Sequence, residues 1–585
     1  MKSEMNEQNK RKPRIHLICN AHLDPVWQWQ WEEGCAEALA TFGNAVQLLK
    51  EHDHFIFNHN ESLLYMWVKK YDPGLFDEIV RLAEQGRWHI SGGWYLQPDV
   101  NMPDTESLIR HIILGRSFFK KYFNSQPIVA YNFDSFGHSG GLPQILKLSG
   151  YKMYIHMRPD RNELELPADL YRWKGVDGSE ILTYRISIGL YHTERDNIWD
   201  RLEEGRQKCL ELNRDVPVFW GLGNHGGGAT HKDLEIIDEF IKKETAVDVL
   251  HSTPDLFYRS IKDLEKDTPV VEGDLQRVFT GCYTSLSRLK RGARQGLSRL
   301  IQTESLQAAL AWLYDEEFPD EKIESAWRKH LFNDFHDILP GSCTEPAEKD
   351  ALDLYNQVSN IMRSLNLEAA VKFNRGPIEN YYLPVTILNS NPHLKTAPVE
   401  FECMFDYRPP WTGDWHLRLH NSDGTEIPCQ EEQPEALLPF HKWRRKISFM
   451  ADLPAFGFAN YHLKTYERNP STQDTTKNED EILPENKPST EHKSNSSHIA
   501  SSEGTVNAEN NTGTLKLKPG EEFRIDQEKG LITELIFERN QILNGPLFLP
   551  LVLKDEGDAW GAGCWSYRDI IGQFELVPGS FSDIE

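Results

Sequence analysis

The feature that most constrains this chain is a series of short apolar segments, each ending in polar residues and separated by stretches of helical periodicity. Residues 15–20, 128–133, 153–156 and 216–220 read as buried strands, too short for buried helices and followed by polar turns. Between them, residues 76–86 and 104–123 carry apolar side chains at three- and four-residue spacing, as amphipathic helices do, with Pro103-Asp104 as a start signal for the second. Strands that alternate with helices must pack as a sheet covered by helices, which predicts an α/β fold up to about residue 280.

The texture then changes twice. Residues 287–315, 319–335 and 345–374 are helical throughout and are broken by Phe-Pro-Asp and Leu-Pro-Gly-Ser, which predicts a three-helix bundle. Beyond residue 380, short alternating runs such as 382–388 and 443–450 are punctuated by Pro, Gly and Asn, as in a β-sandwich. The expected organisation is a tail (1–13), an α/β domain of barrel-like form (14–280), a helix-bundle middle domain (281–376) and a β domain (377–467). A disordered linker (468–513) and the start of a further β domain (514–585) complete it. The linker assignment rests on a stretch with no aromatic residue and almost nothing to bury.

Composition excludes several classes of function. A net charge of −25 repels a polyanion, so no nucleic-acid partner is expected. No apolar run reaches the roughly 18 residues that span a bilayer, and the charged N-terminus lacks the apolar core of a secretory signal. Eight cysteines without a C-x-x-C pair fit a reducing compartment, which makes a cytoplasmic protein the expectation.

The polar residues after the strands are chemically matched. His22 and Asp24 follow the first, Asp134 the second, Arg158 the third, and Asn224-His225 the fourth. Ligands of α/β folds bind outside the carboxyl ends of strands, so these side chains are expected at one rim. His22 and Asp24, two residues apart in an extended segment, share a face and can grip one cation. Asp134 and His336 could complete the set, and nitrogen and oxygen donors without thiolate suit zinc among other divalent ions. For His336 the alternative is a histidine favoured by the negative end of its helix.

The segments NAHLDPVWQW, GGWYLQPDVNMPDTES, YNFDSFGHSGGLPQIL, GCYTSLSRLKR and NDFHDILPGS, in this order, resemble the α-mannosidases of glycoside hydrolase family 38, in particular the class II cytosolic and bacterial branch. The resemblance covers about residues 14–370 and returns at DEGDAWG near the C-terminus. It implies a retaining, zinc-dependent α-mannosidase acting on terminal α-mannosides of oligosaccharides, with one Zn²⁺ per chain held by His22, Asp24, Asp134 and His336. Asp134 matches the family's nucleophile, Trp27 its sugar-stacking aromatic, Arg158 an arginine beside the nucleophile, and Asp337 a sugar-contacting aspartate. Asp99 lies in a family motif as a further substrate contact. The branch continues beyond a segment like DEGDAWG into a large β domain, so the resemblance implies a C-terminally truncated version of the pattern.

One departure concerns the proton donor. Where many relatives carry Gly-Asp-Asp, this chain reads WGLGNHGGGAT, and of Asn224 and His225 only the histidine can deliver a proton near neutral pH. Alternatively, His225 only hydrogen-bonds the sugar and Gly226–Gly228 let backbone approach it. Two other functions compete: a mannose-binding relative without turnover, and a metal-dependent sugar deacetylase, whose metal would activate water. Linkage preference and any homo-oligomer are left open by the sequence.

Overall fold

The structure, a computed structural model, describes residues 11–223, 226–373, 382–404, 415–435 and 444–467. Further on it describes residues 504–507, 512–518, 521–526, 531–537, 539–547, 549–554, 560 and 569–574. Asn224, His225, the greater part of the linker expected at 468–513, and all of DEGDAWG except Trp560 lie outside the described residues.

The chain divides into two compact units, Met1–Asn366 with Asp555–Ser566, and Leu367–Lys554 with Tyr567–Glu585. The α/β and helical regions, expected as separate domains, therefore belong to one unit. Its strands are β1 (Arg14–Cys19), β2 (Phe57–His59), β3 (Trp88–Ile90), β4 (Val129–Asn132), β5 (Met153–His156), β6 (Leu170–Lys174), β7 (Glu180–Arg185), β8 (Val216–Trp220), β9 (Asp248–His251) and β10 (Val270–Glu272). They form two five-stranded sheets, one ordered β3-β2-β1-β8 with β9 also pairing β1, the other β10-β6-β7-β5-β4. All pairs are parallel except β6 with β7.

Parallel strands covered on both faces need apolar residues at successive positions, which is why the sequence runs are continuous rather than alternating. Ile15, Leu17 and Cys19 pack with Val216, Val218 and Trp220 into one core against Phe42, Ala45 and Leu49 of helix α1 (Trp31–Glu51). Ile18 and Phe219 point the other way and join Val129, Tyr131, Phe133, Met153 and Ile155 of the second sheet. The opposite face of that sheet, with Ala130, Tyr154, Tyr171 and Trp173, forms a further core. These shared cores bring the carboxyl ends of β1 and β4 together.

The other α-helices of this unit are α2 (Ser62–Tyr71), α3 (Pro73–Glu84), α4 (Thr105–Phe123), α5 (Leu142–Leu148), α6 (Ile198–Leu212), α7 (His231–Lys243), α8 (Pro254–Ile261), α9 (Ser287–Tyr314), α10 (Asp320–Phe332) and α11 (Glu345–Phe373), the last belonging to it up to Asn366. Helix α4 starts where expected because the Asp104 carboxylate accepts the Glu106 amide, satisfying an orphan donor of the first turn. Helices α9, α10 and α11 share a core that includes Leu297, Leu300, Trp327, Leu331, Tyr355, Val358 and Met362, and Tyr95 and Leu96 of the α/β region join it. This continuity explains why the two regions form one unit.

In the second unit, two antiparallel sheets enclose Leu419, Ile447, Phe449, Ala451, Tyr461 and Leu463. Strand Gly504–Asn507 lies inside the segment expected as linker and pairs antiparallel with Thr512–Lys518, which begins at the end of that segment. The linker expectation is corrected there: a ladder of backbone hydrogen bonds can form without the apolar side chains whose absence suggested disorder.

Candidate active site

The site begins at the end of β1. His22 and Asp24 follow it within a buried turn, and His22 Nε2 lies 2.9 Å from Asp24 Oδ1. Asp134 leaves the end of β4 behind Phe133, whose ring stacks on Tyr131 at 4.2 Å and on Tyr191 at 5.8 Å. His336 enters from the segment after α10, fully buried, with Nε2 3.3 Å from Asp24 Oδ1. One ligand atom from each of His22, Asp134 and His336 lies within 4.8 Å of the others, and the same holds for Asp24, His336 and Asp337.

The donor set fits a divalent cation. His336 Nδ1 donates to the Gln97 carbonyl at 3.0 Å, which turns Nε2 toward the carboxylates, where it could serve a cation once deprotonated. That Nε2 is buried and faces Asp24 Oδ1 at 3.3 Å. Burial would lower the His336 pKa, but the hydrogen bond that its ring donates to Asp24 and the charges of Asp337 and Asp24 outweigh it and push the ring up to about 10. Asp337 is pushed up to about 7 by burial, with Asp24 and Asp134 adding to the rise against the opposing pull of His336. Without a metal, this buried group of carboxylates draws protons, and a bound cation would supply the same positive charge.

Arg158 completes the setting. Its Nε donates to Asp134 Oδ1 at 2.5 Å. Burial disfavours the Asp134 charge, but Arg158, with His22 and His336, outweighs burial and holds the carboxyl below its ordinary value. The Arg158 backbone is fixed from below, since its carbonyl accepts from His138 Nε2 and His156 Nδ1, each at 2.8 Å. Its guanidinium also lies 4.9 Å from the centre of the Phe279 ring.

A cleft of about 490 Å³ opens onto these groups, lined among others by Trp27, Asp134, Arg158, Tyr191, His192, Phe279, Asp337 and Trp560. Ser342 Oγ donates to Asp337 Oδ1 at 2.6 Å and orients that carboxyl. Of the residues read from the sequence, Trp27, Asp134, Arg158 and Asp337 line the cleft, and His22, Asp24 and His336 sit buried behind it.

Asp99, expected as a substrate contact, is not among the residues lining this cleft. Its side chain is buried and Oδ1 accepts the amides of Asn101 and Met102, closing a turn. The glycine loop is tied down by hydrogen bonds from its backbone amides. The Gly226 amide donates to the His22 carbonyl at 3.1 Å, and the Gly227 amide donates to Thr41 Oγ1 at 2.8 Å. Gly226 has φ +90°, and a Cβ there would collide with Thr41 and approach Leu23.

Sequence reasoning missed Gln97. Its Oε1 accepts the Phe133 amide at 3.0 Å, its Nε2 donates to Glu61 Oε1 at 2.7 Å and lies 3.3 Å from His22 Nδ1, and its carbonyl takes His336 Nδ1. Gln97 thus touches both histidines and the backbone beside Asp134. Its only signal was membership of the GGWYLQPDV segment. Burial raises Glu61 to about 7, against the opposing hydrogen bond from Gln97. Tyr191 was missed as well; its ring lies 4.9 Å from that of His22 and its hydroxyl bonds to Asp134.

Comparison with known proteins follows this geometry. Residues 12–274 match the N-terminal domain of glycosyl hydrolases family 38, and residues 277–373 match the alpha mannosidase middle domain. Alpha-mannosidase G of Dictyostelium discoideum is 27% identical over 354 residues, covering 60% of this chain and 32% of its own length. Human alpha-mannosidase 2C1 is 26% identical over 368 residues, covering 62% of this chain and 35% of its own length. The chain therefore spans about a third of these relatives. The crystal structure of an alpha-mannosidase from Enterococcus faecalis V583 superposes with a TM-score of 0.66 at 16% identity, covering 89% of this chain and 61% of that one. At that identity it shows the fold alone. With the two domain matches adjoining from residue 12 to residue 373, across every candidate ligand, the chain belongs to glycosyl hydrolases family 38.

Proposed function

We propose that this chain carries the catalytic centre of a retaining, zinc-dependent α-mannosidase acting on terminal α-mannosides of oligosaccharides. The observation that carries this reading is Asp134, which faces the cleft, is gripped by Arg158 at 2.5 Å and stands within ligand distance of His22 and His336. The names of the matched relatives support the mannoside as substrate. A cytoplasmic setting is supported by eight cysteines scattered singly, without a C-x-x-C pair. No helix among the described residues is long and apolar enough to cross a membrane.

In this reading His22, Asp24, Asp134 and His336 hold one Zn²⁺, which when bound supplies positive charge for neighbouring sugar hydroxyls. Asp134, kept ionised by Arg158, attacks the anomeric carbon and forms a glycosyl ester, and water then releases the sugar with its configuration retained. Trp27 offers a ring face to the sugar, and Asp337, oriented by Ser342, accepts from a hydroxyl. The proton for the departing oxygen is assigned to His225.

The experiment is turnover on a panel of α-mannobioses with and without chelator, with product configuration followed by NMR. Retained configuration, loss on chelation and recovery with Zn²⁺ are expected. Inverted product, or full activity after exhaustive chelation, would overturn the mechanism. Release of acetate without glycoside cleavage would instead identify a deacetylase. For the proton donor, His225→Ala should slow mannobioses far more than activated aryl mannosides, which need little protonation. Equal losses on both would move the role to His192, the described imidazole of the cleft.

A further inference from the structure

A second group of metal-binding side chains stands apart from this centre and shares no residue with it. Glu51 is the last residue of α1, His52 follows it, and His231 is the first residue of α7. One ligand atom of each lies within 4.8 Å of the other two. His231 Nδ1 already stands 3.5 Å from Glu51 Oε2. The edge of a tetrahedral zinc site with bonds of about 2.0–2.1 Å is about 3.4 Å, so this pair needs almost no adjustment. The rings of His52 and His231 are 6.1 Å apart.

The backbones that present these side chains are anchored, whereas the side chains face water. The His52 amide donates to Leu48 O at 2.9 Å, and its carbonyl accepts the Phe55 amide at 3.2 Å and the Arg87 guanidinium. Arg87 also holds the carbonyls of Leu49 and Phe55. On the other side, Thr230 caps α7 by accepting the Asp233 amide at 3.1 Å, and Asn44 of α1 donates to Ala229 O at 3.1 Å. Gln47 occupies Glu51 Oε1, leaving Oε2 toward His231. The His231 and Glu51 side chains are 60% and 39% exposed, so water can fill the remaining positions of an ion.

We infer that Glu51, His52 and His231 bind a second divalent transition-metal ion of the zinc class, which cross-links the end of α1 to the start of α7. Two imidazoles and a carboxylate are the donors that such ions prefer over calcium or magnesium. The negative end of the α1 dipole and the net charge of −25 favour a cation here, and the Glu51 carboxylate offsets the positive end of the α7 dipole at His231.

The test is calorimetric titration of the whole chain with Zn²⁺, compared with His231→Gln and with the His52→Ala/His231→Gln double variant. The wild type should take up one more equivalent than the double variant, and His231→Gln should weaken that equivalent at least about tenfold. All three proteins should melt alike in EDTA, and excess Zn²⁺ should raise the melting temperature of the wild type alone by an additional step of about 2–4 °C. Equal stoichiometry in wild type and double variant would overturn the inference. Failure of the catalytic-centre reading looks different, because His22→Ala would then bind as many equivalents as the wild type.

Discussion

At the scale of single residues, the decisive contact is between Arg158 and Asp134. Because the guanidinium holds the carboxyl below its ordinary pKa, Asp134 remains ionised to lower pH than an isolated aspartate. Replacing Arg158 by Met removes that pull and leaves burial to raise the carboxyl. The acid limb of kcat/KM against pH should move to higher pH by about one unit or more. An unmoved limb would mean that another group sets it. Asp134→Asn should reduce turnover at least about 1000-fold, since an amide cannot form the glycosyl ester; labelling with a fluorinated mannosyl fluoride checks the site directly. Gln97→Leu should weaken Zn²⁺ binding by about 10-fold, read by competition with a chelating dye, because His22 loses its side-chain partner while the backbone carbonyl of residue 97 still holds His336. His22, Asp24, Asp134 and Arg158 were legible because each follows a strand. Gln97 was not, because an uncharged amide has no sequence signature and its role depends on touching two histidines from different parts of the chain.

At the scale of elements, the site depends on how tightly strands and helices are fastened. Asp215, just before β8, accepts from the Arg14 amide of β1 at 2.9 Å and from Arg11 at 2.6 Å, and so fixes the ends of the two strands. Burial would raise its pKa, but His16, the Arg14 amide and Arg11 outweigh it and lower it to about 2. A carboxyl lowered on folding stabilises the fold above its unfolded value near 4, and that contribution fades as pH falls toward 2. Asp215→Asn should therefore cost about 1 kcal/mol near neutral pH after solvent screening, with the difference from wild type closing in acid. Urea titrations at pH 7 and pH 3 test this. Helix α4 offers a packing counterpart: a Cβ at Gly115 would run into the backbone of Gly93 and Trp94. Gly115→Ala should destabilise by about 1–3 kcal/mol. These helices were legible from periodicity, but the backbone contact that demands glycine was not.

At the scale of the molecule, the candidate metal donors come from regions far apart in the chain, and the shared cores hold them together. His336 follows α10, whereas His22 and Asp134 follow strands of two different sheets. A cation bound among their buried carboxylates should stabilise this unit as a whole. Its removal by chelator should lower the melting temperature by about 5 °C, with recovery on adding Zn²⁺. An unchanged melting curve would show that the ion does not bridge these elements.

The sequence by itself determined the alternation of strands and helices, the three long helices and the residue types of the centre, because periodicity and strand-end chemistry are local properties. Tertiary structure decided that the α/β and helical regions form one compact unit, since Tyr95 and Leu96 join the helical core through contacts distant in sequence. It also decided that Asp99 closes a buried turn and that the Gly226 amide meets His22 rather than the open cleft. Each of those outcomes depends on which backbone lies opposite a side chain, and that neighbour is supplied by the fold.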